Sequence, residues 1–323
     1  VDEFELIARF FASARCARPR GNVALGIGDD CALLELPAGE QLAISTDTLV
    51  QGVHFPIHCD PYLLGQRALA VTASDLAGMG ASAIGFTLAL TLPEPDERWL
   101  DGFARGLDAM AERCALQLLG GDTTRGPLSM TLTVFGRVPS GLAIRRNGAK
   151  PGDLLCVGGS LGEAAAAVAL VTGEKQAPAA IAERLLNRYW TPEPQLFLGS
   201  ALRGVATAAL DISDGLLADC MHIARGSGIA LRIETDTIPV PGELVEWVGM
   251  QQALAFALSG GDDYRLAFTI PPAKLPALQA QWPNAVQIGC VEKGDPAIRL
   301  IDPMGVESAP SRTGYLHFGN RYD

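Results

Sequence analysis

One recurrence constrains this chain more than any other feature. An aspartate stands beside glycine, serine or threonine at six places: Gly26-Ile27-Gly28-Asp29-Asp30, Ser45-Thr46-Asp47-Thr48, Thr72-Ala73-Ser74-Asp75, Gly120-Gly121-Asp122-Thr123-Thr124, Asp211-Ile212-Ser213-Asp214-Gly215 and Ser259-Gly260-Gly261-Asp262-Asp263. These segments punctuate apolar runs of strand and helix spacing. A chain so divided folds as strands and helices joined by short polar turns. Taken singly, each segment is a turn or a helix cap, because an Asp side chain bonds nearby backbone N–H groups. Asp75 differs, since it falls inside a helical pattern, where Asp has poor propensity and no cap to make. On an inward face it needs a metal or a hydrogen-bond partner.

Periodicity places the elements between these segments. Helices are expected over 3–14, 61–77, 96–114, 161–172 and 215–226. Strands are expected over 41–45 (ending at Asp47), 83–92, 116–119, 128–138, 154–157, 206–212, 229–233, 255–258 and 264–270. The stretch from Pro139 to Asp153 holds Pro, Gly and Ser with Arg145, Arg146 and Lys150, and is the expected junction. The fold class is therefore α/β (α+β), with mixed sheets flanked by helices in two domains, residues 1–141 and 142–323. With 48% hydrophobic but only 6% aromatic residues, the cores must rely on Ala, Leu, Val and Ile.

A net charge of −11 argues against a nucleic-acid partner and against a polybasic membrane surface. The longest apolar run, from Ala68 to Leu92, is interrupted by Asp75 and does not read as a membrane span. Seven scattered cysteines without a C-x-x-C pair offer no zinc framework and suit a reducing compartment. The acidic start, Val1-Asp2-Glu3, lacks the basic region of a signal peptide. The expected location is the cytoplasm.

Several carboxylates gathered in one place repel one another, by on the order of 4 kcal/mol per pair at about 4 Å and an effective dielectric near 20. Divalent cations relieve that repulsion, and Mg²⁺ takes hard oxygen ligands from Asp, Ser and Thr together with substrate phosphates. The chain has no lysine-bearing phosphate loop, no G-x-G-x-x-G dinucleotide fingerprint and no H-E-x-x-H pair. An ATP enzyme of this composition would coat the triphosphate with metal ions.

The motifs GIGDDCA (26–32), STDTLVQGVHF (45–55), SDLAGMGA (74–81), GGDTT (120–124), RRNGAKPGD (145–153), DISDGL (211–216) and SGGDDY (259–264) occur in that order. As a set they closely resemble the thiamine-monophosphate kinase family of the aminoimidazole-ribonucleotide-synthetase superfamily. The resemblance runs over nearly the whole chain. It implies the two-domain fold of that superfamily, with the N-terminal domain carrying the metal and ATP site and pairing two subunits through its sheet. The C-terminal domain would complete the nucleotide and substrate site. The implied reaction moves the γ-phosphoryl group of ATP to thiamine monophosphate, giving thiamine diphosphate, with several Mg²⁺ ions. By motif, Asp30, Ser45, Thr46, Asp47, Asp75, Asp122, Asp211 and Asp214 correspond to Mg²⁺ ligands, with Asp30, Asp47, Asp75 and Asp122 essential. Gly121, Asp122, Arg146 and Ser213 correspond to nucleotide contacts. His54, Asp262 and Tyr315 correspond to substrate contacts, with Phe318 the competitor of Tyr315. His58, His222 and His317 are read as structural. Where the family usually shows Gly-Gly-Glu-Asp-Tyr-Glu, this chain has Gly260-Gly261-Asp262-Asp263-Tyr264-Arg265, so Asp262 takes the place of a longer acid.

A phosphate acceptor needs no general base, so catalysis should rest on in-line positioning and charge neutralisation. Three rival readings make distinct predictions. Another ATP-dependent synthetase of the superfamily would act on a different substrate, and a metal-dependent phosphohydrolase would release phosphate without an acceptor. A non-enzymatic nucleotide-binding protein would bind Mg·ATP without turnover.

Overall fold

A computed structural model describes residues 3–309 and residue 314. The chain divides into two units, the first comprising Val1–Leu76 and Ala81–Ala143, the second Ala77–Gly80 and Ile144–Asp323. Among the described residues no helix is long and apolar enough to cross a membrane.

The first unit runs α1 (Glu3–Leu6), β1 (Val23–Leu25), β2 (Leu33–Leu34), β3 (Glu40–Val50), α2 (Pro61–Gly78), β4 (Ser82–Leu92), α3 (Glu97–Cys114), β5 (Gln117–Arg125) and β6 (Ser129–Pro139). Its main sheet has four strands in the order β3-β6-β4-β5, antiparallel except for β4 and β5. Strand period two gives this sheet two different faces. On β6, Met130, Leu132 and Val134 are fully buried, while Thr131, Thr133 and Phe135 alternate with them on the opposite face. Helix α2 lies on the buried face, with Leu76 reaching Gly136. Helix α3 packs against α2 at Gly65. Asp96 caps α3 by accepting the N–H groups of Arg98 and Trp99 at 2.9 and 3.1 Å. Strands β1 and β2 form a separate antiparallel pair. That pair packs through Val23 and Leu34 onto Ile84, Leu119 and Phe135, on the face away from α2.

The second unit runs β7 (Leu154–Val157), α4 (Glu163–Val171), α5 (Ala179–Trp190), α6 (Leu196–Leu202), β8 (Ala208–Asp211), α7 (Leu216–Ser227), β9 (Ala230–Glu234), α8 (Gly242–Val248), α9 (Met250–Ser259), β10 (Leu266–Ile270), α10 (Leu275–Gln281), β11 (Val286–Glu292), β12 (Ala297–Ile301) and β13 (Glu307–Ser308). Seven of its strands form one mixed sheet, β13-β12-β9-β11-β7-β10-β8. Helices α7 and α9 cover one face through Leu216, Cys220, Ile223 and Ala257. Helices α6 and α10 cover the other through Leu198, Leu202, Leu275 and Leu278. The α/β class with mixed sheets is as expected.

Four sequence expectations need correction. The helix expected over 3–14 is α-helical only to Leu6 and continues as a π-helix over Ile7–Ala12. The strand expected over 255–258 is the end of helix α9; short apolar runs fit either period. Strand β3 extends to Val50, and β5 extends to Arg125 instead of stopping at Leu119. As a result Asp47 and Asp122 sit inside strands, not in turns. Both strands run on through their hydroxyl-rich ends because threonine is a good strand former when paired across strands. Thr46 and Thr48 pair in this way with Thr133 and Thr131 at 2.9 and 2.8 Å.

Candidate active site

The first unit brings together a carboxylate pair. Asp47 on β3 and Asp75 in α2 both lie at the buried face of the sheet, because Asp47 is in register with the fully buried Leu132. Ser45, two residues before Asp47 and so on the same face, donates its hydroxyl hydrogen bond to Asp75 Oδ2. Asp47 makes a side-chain hydrogen bond with Thr72, one turn before Asp75 on α2. Burial, and then the charge of Asp75, push the Asp47 carboxyl up to about 6, against the opposing effect of Thr72. The helical aspartate that sequence alone marked as needing a partner therefore has Ser45 and lies in the field of Asp47.

Other expected ligands of this unit lie elsewhere. Thr46 projects to the opposite face of β3, its hydroxyl bonded to Thr133. Only its main-chain carbonyl could serve a cation beside Asp47. Asp122 is exposed on β5 and in register with Ala89, whose own partner is Thr131. It therefore belongs to the face opposite Asp47, and β3 and β5 are the two edges of the sheet. Asp30 is exposed in the loop between β1 and β2, with its N–H bonded to Asp29 Oδ1 at 2.8 Å. Gly121 is required by its neighbour: φ is 154°, and a Cβ would lie 1.8 Å from the Leu88 carbonyl oxygen. His54 accepts the Val50 N–H at Nδ1 over 3.0 Å, a bond that fixes the ring against the end of β3.

Among the described residues no three His, Cys, Asp or Glu side chains form a ready-made metal cage. The donors present nevertheless suit Mg²⁺, which is held by one or two carboxylates plus phosphates and water, not by an all-protein cage. Asp47, with its raised carboxyl, and Asp75, with Ser45 between strand and helix, are a charge pair that a divalent cation would relieve.

The second unit gathers its candidates at the edge strand β8. Asp211, buried, ends β8, and Ser213 and Asp214 follow in the loop to α7. The segment carrying Arg146 runs alongside: Ala209 donates its N–H to the Arg145 carbonyl, and Ser227 donates its hydroxyl to the Arg146 carbonyl. The Arg146 side chain is exposed. Burial and then the Arg146 charge hold His222 below its ordinary value, and Asp214 opposes them, so these groups share one electrostatic environment. Asp262 adopts a left-handed φ of 69°, and Tyr264 one of 47°. Such backbone in non-glycine residues is a signature of functional loops. The Tyr264 hydroxyl donates to Asp262 Oδ1 at 3.2 Å and aims that carboxylate. Tyr315 and Phe318 lie outside the described residues, as does His317.

Two carboxylates of this unit escaped the sequence reading. Asp263 is 4% exposed and accepts the Gly162 N–H with both oxygens, at 3.0 and 2.9 Å. Burial pushes its carboxyl up to about 7, against the Gly162 bond and the guanidinium groups of Arg188 and Arg265. Asp219, in the first turn of α7, is raised to about 6 by burial, against three backbone hydrogen bonds. Its spacing after Ser213-Asp214-Gly215, in the first turn of a helix, is the one signal that could have found it.

Residues 28–138 match the family described as AIR synthase related protein, N-terminal domain. Thiamine-monophosphate kinase of Escherichia coli is 50% identical over 277 residues, 85% of either chain. The crystal structure of thiamine-monophosphate kinase from Stenotrophomonas maltophilia superposes with a TM-score of 0.85 at 41% identity, covering 93% of this chain and 96% of the other. The complex of AaThiL with AMPPCP and TMP superposes with a TM-score of 0.76 at 28% identity, covering 90% and 92%.

Proposed function

This chain belongs to the thiamine-monophosphate kinase family, and from that membership we infer that it transfers the γ-phosphoryl group of ATP to the phosphate of thiamine monophosphate. The products are thiamine diphosphate and ADP. The observation that carries the reading is the coupled Asp47–Asp75 pair, an acidic site in want of cations, in a chain of this family.

The attacking atom is a phosphate oxygen, already a nucleophile, so no side chain needs to remove a proton. The task left to the protein is to bring two anionic groups into line and to balance their charge. Asp47 and Asp75, with Ser45, are the first candidates to hold Mg²⁺; by family motif, Asp30, Thr46 and Asp122 of the first unit, and Asp211 and Asp214 of the second, are assigned as ligands of further Mg²⁺ ions. Mg²⁺ held by these residues would supply positive charge to offset that of the phosphate groups. The nucleotide contacts are assigned to Gly121, Asp122, Arg146 and Ser213. An exposed guanidinium such as that of Arg146 suits bidentate pairing with phosphate. The acceptor is assigned to His54, to Asp262, whose carboxylate Tyr264 hydrogen-bonds, and to Tyr315.

A homodimer is part of this reading. Its support is the outer face of β3, an edge strand on which Leu42 and Ile44 are 39% and 57% exposed. Exposed apolar residues on a long edge strand are a natural pairing surface. The cytoplasm is the assigned compartment, in keeping with seven free thiols.

The test is incubation with Mg·ATP and thiamine monophosphate, followed by separation of the products. Thiamine diphosphate and ADP should appear in equal amounts. ADP and inorganic phosphate without thiamine diphosphate would replace the kinase reading with a hydrolase.

A further inference from the structure

Two short loops of the second unit meet beside β8. The first is held from within. The N–H groups of Ser213, Asp214 and Gly215 all donate to one atom, Oδ2 of Asp219, at 3.0, 3.0 and 3.1 Å. Three successive amides aimed at one point make a nest of the kind that receives an anion. Here the protein fills the nest with its own carboxylate, 4% exposed. The first loop then holds the second. Asp262 donates its N–H to the Ser213 carbonyl, and Tyr264 donates its N–H to the Ile212 carbonyl, each at 2.8 Å. The backbones approach so closely that a Cβ on Gly261 would lie 2.4 Å from the Ser213 carbonyl oxygen.

We propose that Asp219 is a positioning residue for both loops at once, setting the nucleotide contact at Ser213 and the acceptor contact at Asp262. The inference rests on the roles assigned to those two residues above. Asp219 acts through the main chain. Without its oxygen, three backbone donors, two half-buried and one buried, lose their acceptor and the first loop relaxes. The second loop follows, because its two anchoring amides bond to carbonyls of the first. One side chain therefore governs the recognition of two different substrates. A residue that only stabilised the fold would behave otherwise: its loss would reduce the amount of active enzyme and leave each Michaelis constant unchanged.

Steady-state kinetics of the full chain, with ATP and thiamine monophosphate varied in turn at saturating Mg²⁺, separates these cases. D219A is expected to raise KM for both substrates by about 10-fold or more, the usual cost of removing an orienting partner. S213A should raise KM for ATP alone, and D262N, which keeps a residue suited to the left-handed φ of 69°, KM for the acceptor alone. D219N should recover most of the loss, because an amide oxygen can accept the same three N–H groups. If D219A does not fold, D219S keeps a polar atom in the buried position but is too short to span three amides, and should give the same double effect. A lowered kcat with both KM values unchanged in D219A would overturn the proposal. So would a D219N enzyme as impaired as D219A, since the charge and not the acceptor geometry would then matter. If S213A and D262N leave both constants unmoved, the site assignment itself has failed. If they respond and D219A does not, only the role of Asp219 has failed.

Discussion

Replacing Asp47 by asparagine should make the metal-free protein more stable while destroying its activity. The Asp47 carboxyl is raised from 3.8 to about 6 by burial and by Asp75. Ionising it in the folded state therefore costs about 3 kcal/mol, at about 1.4 kcal/mol per unit. A carboxyl raised on folding binds more protons in the native state than in the unfolded one. Its contribution to stability is full below pH 3.8 and is lost as pH rises through about 6. Above pH 7 the parent protein bears the whole penalty, and D47N, neutral at all pH values, does not. Urea unfolding in the presence of chelator should show D47N more stable by about 3 kcal/mol at pH 8, with the difference shrinking toward pH 4. Comparison of the two proteins isolates this carboxyl from Asp219 and Asp263, which both retain. Adding Mg²⁺ with a non-hydrolysable ATP analogue should reverse the order, because only the parent gains strongly from ligand linkage. Turnover in D47N should fall by about three orders of magnitude, the scale of several kcal/mol of lost charge stabilisation. Equal stability of the two proteins at pH 8 without metal would refute the coupled-pair argument. Normal turnover in D47N would refute the assignment of the site.

Three further substitutions probe other parts of the molecule. Asp122→Asn lies on an exposed position, so circular dichroism and the unfolding midpoint should stay unchanged while product formation is lost; retained product formation would remove Asp122 from the site. Ile44→Asp places a charge on the exposed edge-strand face and should shift the sedimentation coefficient from dimer to monomer, with an unshifted dimer overturning the assigned interface. Gly121→Ala should lower soluble yield and the unfolding midpoint sharply, because its Cβ would lie 1.8 Å from the Leu88 carbonyl oxygen across the β4–β5 pairing.

Much of the fold was readable because local signals agreed. Helix α3 carries a capping aspartate and an amphipathic pattern, and its expected and observed limits differ by one residue. Strand β6 alternates without interruption, so period two identified it. The failures arose where a segment's partner decides its conformation. The strand expected to end at Asp47 continues to Val50 because β6 supplies threonines opposite its threonines. Residues 250–259 look like a strand at their apolar end, and only packing against the second-unit core makes them a helix. The site divides in the same way. Repetition of aspartate beside small residues pointed to each segment, and Asp75 was marked by its misfit within a helix. Which faces of the sheet Asp47 and Asp122 occupy depended on register, which the motifs do not contain. The anchoring carboxylates Asp219 and Asp263 were hidden because their partners are main-chain amides, which every residue except proline carries.

The joint between the Ser213 and Asp262 loops is made of main-chain atoms, so it is indifferent to most of the side chains it carries. Position 262 could change character during divergence without loosening Ser213, provided the newcomer tolerates a φ of 69°. Aspartate, asparagine and glycine meet that condition more easily than glutamate. The shorter acid found here is thus the conformationally cheaper choice, and, with Asp262 assigned to the acceptor as proposed above, it leaves an extra methylene's width of room on that side. Laboratory evolution toward bulkier phosphorylated acceptors would do well to begin at this residue.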